Sequence, residues 1–330
     1  MNLYLGIDTS CYTTSLAVVD EKANLIVNYK KLLSVESGKK GLRQSEALFQ
    51  HIKNLPELVS HLNGRIHLSN VKIISVSARP RPVADSYMPV FLSGIGFASV
   101  ISETLQIPIE KFSHQEGHIM AGIWSAGAVH LLENRFLSFH ISGGTTELLL
   151  VDPTNNGFNI AIIGGSKDLH AGQFIDRIGV LLGLPFPAGP YLEKIALMTN
   201  EKAQIPISTQ NLWINFSGPE THAKRLIDKG EDFNAVASGV IHCISASVQK
   251  VIQNAIDKTG IKEVLMVGGV CSNSIMKQFL MSSFAGQANI HFAQPEFSTD
   301  NAAGISLLGL YKLVGSEVLK SNAQKSFISK

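Results

Sequence analysis

The chain has little of what would mark it as secreted, membrane-spanning or disordered. It holds only three cysteines, Cys11, Cys243 and Cys271, in 330 residues. They are odd in number and far apart, so they make neither a CxxC pair nor a disulfide framework, and a reducing cytoplasm is expected. Charged residues are only 16% of the chain and the net charge is +2, so no acidic or basic tail announces a partner. A nucleic-acid enzyme is still allowed, because its Lys and Arg need only gather on one face. No basic stretch precedes an apolar run at the N-terminus, and Asp8 interrupts the first such run, so no signal peptide is expected. The best membrane candidate, Ser86 to Ser102, is studded with serines and glycines and falls short of a bilayer span. It reads as a buried helix, and no membrane association is expected.

What is present is an apolar fraction of 45%, enough over this length for two packed domains. The second half of the chain also echoes the first. Leu3 to Asp20 reads LYLGIDTSCYTTSLAVVD and Arg135 to Asp152 reads RFLSFHISGGTTELLLVD. Without a gap, Leu5, Ser10, Thr13, Thr14, Leu16, Val19 and Asp20 recur as Leu137, Ser142, Thr145, Thr146, Leu148, Val151 and Asp152. In each copy two apolar runs flank a small polar turn, the pattern of a β-hairpin. Such a turn brings backbone N–H groups and hydroxyls close to an anionic ligand. Two related lobes facing each other would place both turns at one cleft, so a nucleotide-like ligand between the lobes is expected.

A third glycine turn follows the short apolar run Glu263 to Val267. Gly268, Gly269 and Asn273 lie between that strand and the helical run SIMKQFLMSSF, which lets backbone approach a ligand at a helix N-terminus. It lacks both the dinucleotide GxGxxG spacing and a phosphate-loop lysine. The lobe boundary falls near Gly127 to Asn134, a long buried helix is expected over Ala235 to Ile256, and another over Asn301 to Leu313. This gives an N-terminal lobe over 1–133, a C-terminal lobe over 134–299, and a helix over about 300–315 packing back on the first lobe. The tail, 316–330, is polar and expected to be loosely held.

His114 and His118 lie four residues apart after Ser113, a good N-cap. On a helix that spacing stacks both imidazoles on one face, within reach of one cation. The HExxH peptidase arrangement does not apply. Gln115 stands where the general base should be, and Glu116 points to the far side of the helix. Two histidines need an oxygen ligand beside them. Asp300, in Ser298-Thr-Asp-Asn-Ala-Ala303, is the best candidate, its other reading being a helix N-cap.

The stretches GIDTSCYTTSLAVV, HQEGHIMAG, ISGGTTELLLV, AGQFIDRIGVLLGLPFPAGPYLEKIA, NFSGPET, VGGVCSNS and STDNAAGIS together resemble the tRNA threonylcarbamoyladenosine synthase family. That family was long labelled O-sialoglycoprotein endopeptidase. The resemblance implies a two-lobed α/β fold with duplicated lobes, of the sugar-kinase, actin and heat-shock ATPase type. It implies a divalent metal, iron or zinc, on His114, His118 and Asp300. It also implies ATP or threonylcarbamoyl-adenylate as ligand, with Ser142, Gly143, Gly144, Thr145 and Thr146 at the phosphate or carbamoyl end. Asp176, Gly189 and Asn273 would hold the nucleoside part, with Gly268 and Gly269 in the adjoining turn. The implied reaction is transfer of threonylcarbamoyl to N6 of the tRNA adenosine next to the anticodon. Implied partners are tRNA, a smaller homologous subunit and an ATPase.

The chain departs from the family pattern at several acidic positions. Tyr12 and Thr13 replace an acidic pair, Thr145 replaces a histidine, and Leu169 and Gln173 replace acids. A proline-spaced segment, Arg79 to Pro89, replaces Gly-Pro-Gly. Arg79 and Arg81 there read as a stiff solvated turn or as phosphate contacts. The departures point to a divergent relative, in which a nucleotide- and metal-binding regulator or partner subunit is the alternative to an enzyme.

Overall fold

The computed structural model describes residues 1–10, 12–35, 42–83 and 85–319. Cys11 and the tail from Lys320 onward lie outside the described residues. The chain divides into two compact units: Met1–Asn134 with Asp152–Asn159 and Thr299–Lys330, and Arg135–Val151 with Ile160–Ser298.

In chain order the first unit contributes β1 (Leu3–Ser10), β2 (Thr13–Asp20), β3 (Leu25–Leu32), α1 (Gln44–Ser60), β4 (Val71–Arg79), α2 (Phe91–Leu105), β5 (Ile109–Ser113) and α3 (His114–Ser125). The second holds β6 (Phe136–Ile141), β7 (Thr146–Thr154), β8 (Gly157–Ser166), α4 (Ala171–Leu181), α5 (Gly189–Ala196), β9 (Thr209–Gln210), β10 (Trp213–Ile214), α6 (Ser217–Asp228), α7 (Phe233–Thr259), β11 (Glu263–Val267), α8 (Ser274–Ser283), β12 (Asn289–Phe292) and α9 (Pro295–Ser298), β7 and β8 meeting in the first unit's Asp152–Asn159 turn. The chain then returns to the first unit with α10 (Ala303–Val314).

The first sheet runs β3-β2-β1-β4-β5, and the second runs β12-β11-β6-β7-β8-β10-β9. With the short β9 and β10 left out of the count, each has the order third, second, first, fourth, fifth strand within its own unit; β10 and β9 extend the second sheet. In both, the first strand pairs antiparallel with the second and parallel with the fourth. The echoing segments are β1–β2 and β6–β7, the corresponding central hairpins. Every residue of β1 and β2 is buried, as expected of central strands covered on both faces.

In the first unit Leu3, Leu5, Ile7, Leu16 and Val18 pack with Leu55 and Leu58 of α1. On the other side α10 lies directly on the sheet. Its Gly304 is obligatory, because a Cβ there would sit 1.8 Å from the carbonyl oxygen of Gly117 in α3. That approach sets the loop before α10 beside α3. In the second unit Phe139, Phe174, Phe216 and Phe284 fill the core, each worth roughly 1.5–3 kcal/mol of burial.

Two expectations need correction. Ser86 to Ser102 is not helical throughout: α2 begins at Phe91, and Leu92 and Val100 are exposed, because only one stripe of the helix meets the sheet. The tail is not loose from Ser316, since Leu319 is buried. Among the described residues one helix, α7, is long and apolar enough to cross a membrane, and most of it is buried inside the protein.

Candidate functional site

The first unit carries a cluster on α3 and the loop before α10. Ser113 caps α3: its Oγ accepts from Glu116 N–H at 3.2 Å, and Glu116 Oε2 accepts from Ser113 N–H at 2.7 Å. This capping box turns Glu116 away from the histidines and fixes the helix start at His114. His114 Nε2 and His118 Nε2 are 3.1 Å apart, and each is 3.4 Å from Asp300 Oδ1. Asp300 does not cap α10, whose N-cap is Ala302 without a side-chain cap; Asn301 Oδ1 accepts from Ala303 N–H at 3.0 Å. Asp300 is thus left facing the imidazoles.

Behind His114 lies Asp8 of β1, fully buried. Its Oδ2 is 3.0 Å from His114 Nδ1, and its Oδ1 accepts from Ser77 Oγ–H of β4. A carboxylate only accepts, so Nδ1 carries a hydrogen, and Nε2, on the side of His118 and Asp300, is the atom left to carry a second proton or to give its lone pair to a cation. Burial works against a charged imidazole, yet Asp8 and Asp300 together hold His114 well above its usual pKa. Burial likewise opposes ionisation of Asp300, but hydrogen bonds and charge from His114 and His118 pull it well below the ordinary carboxylate value. A proton therefore stands in for a cation here.

The donors fit a metal. With bonds of about 2.0–2.2 Å, neighbours 3.1–3.4 Å apart subtend roughly 90–115° at a shared centre, between octahedral and tetrahedral angles. Two imidazoles and one carboxylate suit iron or zinc.

In the second unit the turn Ser142–Thr145 closes β6 onto β7, with Thr145 O accepting from Ser142 N–H at 2.8 Å. Gly143 and Gly144 face open space: a Cβ on either would meet nothing within 4 Å. The glycines that pack against this turn are elsewhere. A Cβ on Gly172 would lie 2.5 Å from Ser142 O, and one on Gly268 (φ +96°) would lie 2.3 Å from Ile141 O. Thr146 Oγ1 accepts from Ala171 N–H at 2.9 Å, so the start of α4 and the turn after β11 both abut the Ser142–Thr145 loop.

Asp176 lies on α4, Gly189 opens α5, and Asn273 precedes α8 in this unit. Asp176 Oδ1 accepts from Ala188 N–H at 2.7 Å, just before α5; burial raises its carboxyl, partly offset by that hydrogen bond. Asn273 Oδ1 caps α8 by accepting from Met276 N–H at 2.9 Å. Glu193 of α5 accepts from Ser274 N–H at 2.7 Å and from Ser274 Oγ–H at 2.5 Å, tying α5 to α8.

Sequence reasoning missed Asp8 and Ser77 as supports, and Gly172, Glu193 and Ser274. Asp8 carried one signal, a lone carboxylate inside a buried apolar strand. The departures also find physical reasons. Leu169 lies in the second core, where an acid would be buried. Gln173 Oε1 accepts from His170 N–H at 3.2 Å. Tyr12 is 47% exposed at the first hairpin turn while Thr13 is buried. Arg79 ends β4, and Arg81 N–H donates to Ser86 Oγ at 2.9 Å.

The profile of the family described as tRNA N6-adenosine threonylcarbamoyltransferase matches residues 28–307. A probable bifunctional tRNA threonylcarbamoyladenosine biosynthesis protein of Methanothermobacter thermautotrophicus is 28% identical over 323 residues. That match covers 96% of this chain and 58% of that protein, so the chain spans little more than half its length. A tRNA N6-adenosine threonylcarbamoyltransferase of Thermus thermophilus is 30% identical over 306 residues, covering 92% of this chain and 90% of that one. Among solved structures, (R)-2-hydroxyglutaryl-CoA dehydratase component A of Acidaminococcus fermentans gives a TM-score of 0.54 at 15% identity, covering 94% of this chain and 99% of that one. Identity that low speaks to fold alone, and the fold is the two-lobed actin-like ATPase α/β fold, in agreement with the repeated strand order.

Proposed function

The chain belongs to the tRNA N6-adenosine threonylcarbamoyltransferase family, and from that premise we propose that it is a metal-dependent acyltransferase. It moves threonylcarbamoyl from its adenylate to N6 of the tRNA adenosine next to the anticodon. The amine attacks the carbamoyl carbon, a C–N bond forms, the C–O bond to AMP breaks, and the N6 proton leaves. His114, His118 and Asp300 hold one divalent cation, iron or zinc, which when bound supplies Lewis-acid polarisation of the ligand's oxygens.

The remaining roles belong to the chain. Asp8, braced by Ser77, keeps the His114 lone pair aimed at the cation position. The open backbone at Gly143 and Gly144 offers N–H donors to charge developing on the donor, and Asp176, Gly189 and Asn273 hold its nucleoside part. Gly268 and Gly269 shape the adjoining turn. The reading includes the partners that the family pattern suggests, a smaller homologous subunit and an ATPase.

The observation that carries the reading is the triangle of His114 Nε2, His118 Nε2 and Asp300 Oδ1 with a buried carboxylate behind it. The test is incubation with threonylcarbamoyl-adenylate, tRNA and the partner proteins, followed by mass spectrometry of the digested nucleosides. Modified adenosine with wild type and none with a His114→Ala/His118→Ala variant is expected. No product from wild type, with adenylate bound tightly, selects the second reading, a binding subunit. The turn at Tyr12 and Thr13, stripped of carboxylates, is what favours that alternative.

A further inference from the structure

The surface of α4, α5 and the loop between them exposes several large apolar side chains. On α4 the buried residues include Phe174, Ile175 and Ile178, which leaves Arg177, Val180 and Leu181 on one outward face at i, i+3, i+4 spacing. Val180 and Leu181 are exposed large apolar residues. The connecting loop presents Phe186 at 72% exposure, and α5 adds Tyr191 at 45%, followed one turn later by the exposed Lys194. Burying none of this surface inside its own domain is costly for a soluble protein unless something covers it.

The charges say what kind of partner does so. The acidic groups here are already engaged: Asp176 by Ala188 N–H, Glu193 by Ser274, and Glu220 by Arg177 and Lys224. Arg177 keeps a side-chain exposure of 55% while touching Glu220 at 3.4 Å. Exposed aromatic rings interleaved with outward cations, and carboxylates turned inward, match an unpaired stretch of RNA. Its bases stack on aromatic faces and its phosphates meet Arg and Lys.

We propose that the outward face of α4 and α5, with Phe186 as its stacking platform, binds the unpaired anticodon-loop segment of the RNA substrate. This rests on the tRNA reading above and names the surface by which that substrate is held. Arg177 and Lys194 bind backbone phosphates on either side of the stacked base.

The test uses full-length protein and a fluorescein-labelled anticodon stem-loop RNA, with affinity read by anisotropy across a salt series. Adenylate affinity is measured separately by calorimetry. For Phe186→Ala the RNA affinity should fall about 5- to 150-fold, the range for losing one base stack, with adenylate affinity unchanged. Phe186→Tyr should restore it. Arg177→Ala/Lys194→Ala should flatten the slope of log affinity against log salt by about 1.4, at about 0.7 per phosphate for a single strand.

If all these variants bind RNA like wild type while wild type modifies tRNA, the surface assignment is overturned and the functional reading stands. If wild type binds the stem-loop through Phe186 yet never modifies tRNA, the surface stands and the reading falls. If wild type does not bind the stem-loop, or if Phe186→Ala only changes the oligomeric state in sedimentation, the assignment is overturned in favour of a protein partner.

Discussion

The hairpins β1–β2 and β6–β7 share a sequence pattern and occupy matching central positions in their sheets, yet they have diverged at the same two places. Where the first has Asp8, the second has His140; where the first sequence reads Cys11-Tyr12, the second reads Gly143-Gly144. Asp8 is buried and lies 3.0 Å from the His114 imidazole, a candidate metal ligand. A Cβ on Gly143 or Gly144 would meet nothing within 4 Å, whereas Gly172 packs against Ser142 and Gly143, and Gly268 against Ile141. One copy has become the buttress of a candidate cation site and the other a cradle of exposed backbone. A duplicated scaffold can divide labour in this way because the strands carry the stability and the turn is left free to change.

The largest effect expected from this contrast is on stability. Gly268→Ala places a Cβ 2.3 Å from a backbone oxygen at positive φ, so it should destabilise the protein by about 2–4 kcal/mol in urea unfolding. Gly143→Ala meets nothing and should change stability by less than about 0.5 kcal/mol, while weakening adenylate binding. Equal destabilisation by both would remove the distinction between packed and open glycines.

Next in size is the buttress. Asp8→Asn should keep the fold but lower metal affinity about 10- to 100-fold, the usual consequence of losing a carboxylate behind a ligating histidine. Competitive titration against a chelating dye reads this directly. Unchanged affinity would mean that His114 needs no orientation from β1.

A smaller effect follows from protonation of the metal-free protein. The folded His114 pKa is raised above 6.5, so its contribution to stability is full below about 6.5 and is lost as pH rises through the folded value. The folded Asp300 pKa is lowered below 3.8, so its contribution is present above about 3.8 and is lost as pH falls through the folded value. Melting of chelator-treated wild type and of His114→Gln should therefore differ most between those limits and converge at alkaline pH. Parallel curves through the alkaline range would contradict the pairing.

The smallest effect concerns the first turn. Tyr12→Glu at an exposed position should leave stability within about 0.5 kcal/mol, and raise the transfer rate if the missing carboxylate limits proton removal. Thr13→Glu, at a buried position, should destabilise the protein instead.

Much of the scaffold could be read in the chain itself. The hairpin echo, the His114–His118 spacing and the strand before Gly268 are local patterns, governed by alternation and by helical period. Asp300 was ambiguous, because a residue before a helix of small residues serves equally as cap or ligand; in the structure α10 starts from Ala302 with no side-chain cap. Asp8 and Ser77 were harder. Each is separated from its partner by a long stretch of chain, so only the pairing of β1 with β4 and of β4 with β5 sets Asp8 beside Ser77 and His114. Gly172 was illegible for the same reason: its neighbour, the Ser142 carbonyl, belongs to a different element. Close approaches between distant elements leave no periodic trace in sequence.

The central claim is the cation site, and metal analysis tests it most directly. Purified wild type and His114→Ala/His118→Ala would be compared by inductively coupled plasma mass spectrometry after dialysis against iron or zinc. About one metal per wild-type chain and none in the variant, with both folded, is the predicted result. Equal metal content in the two, or none in wild type under either metal, would contradict it and leave the histidine pair as part of the packing around Asp8.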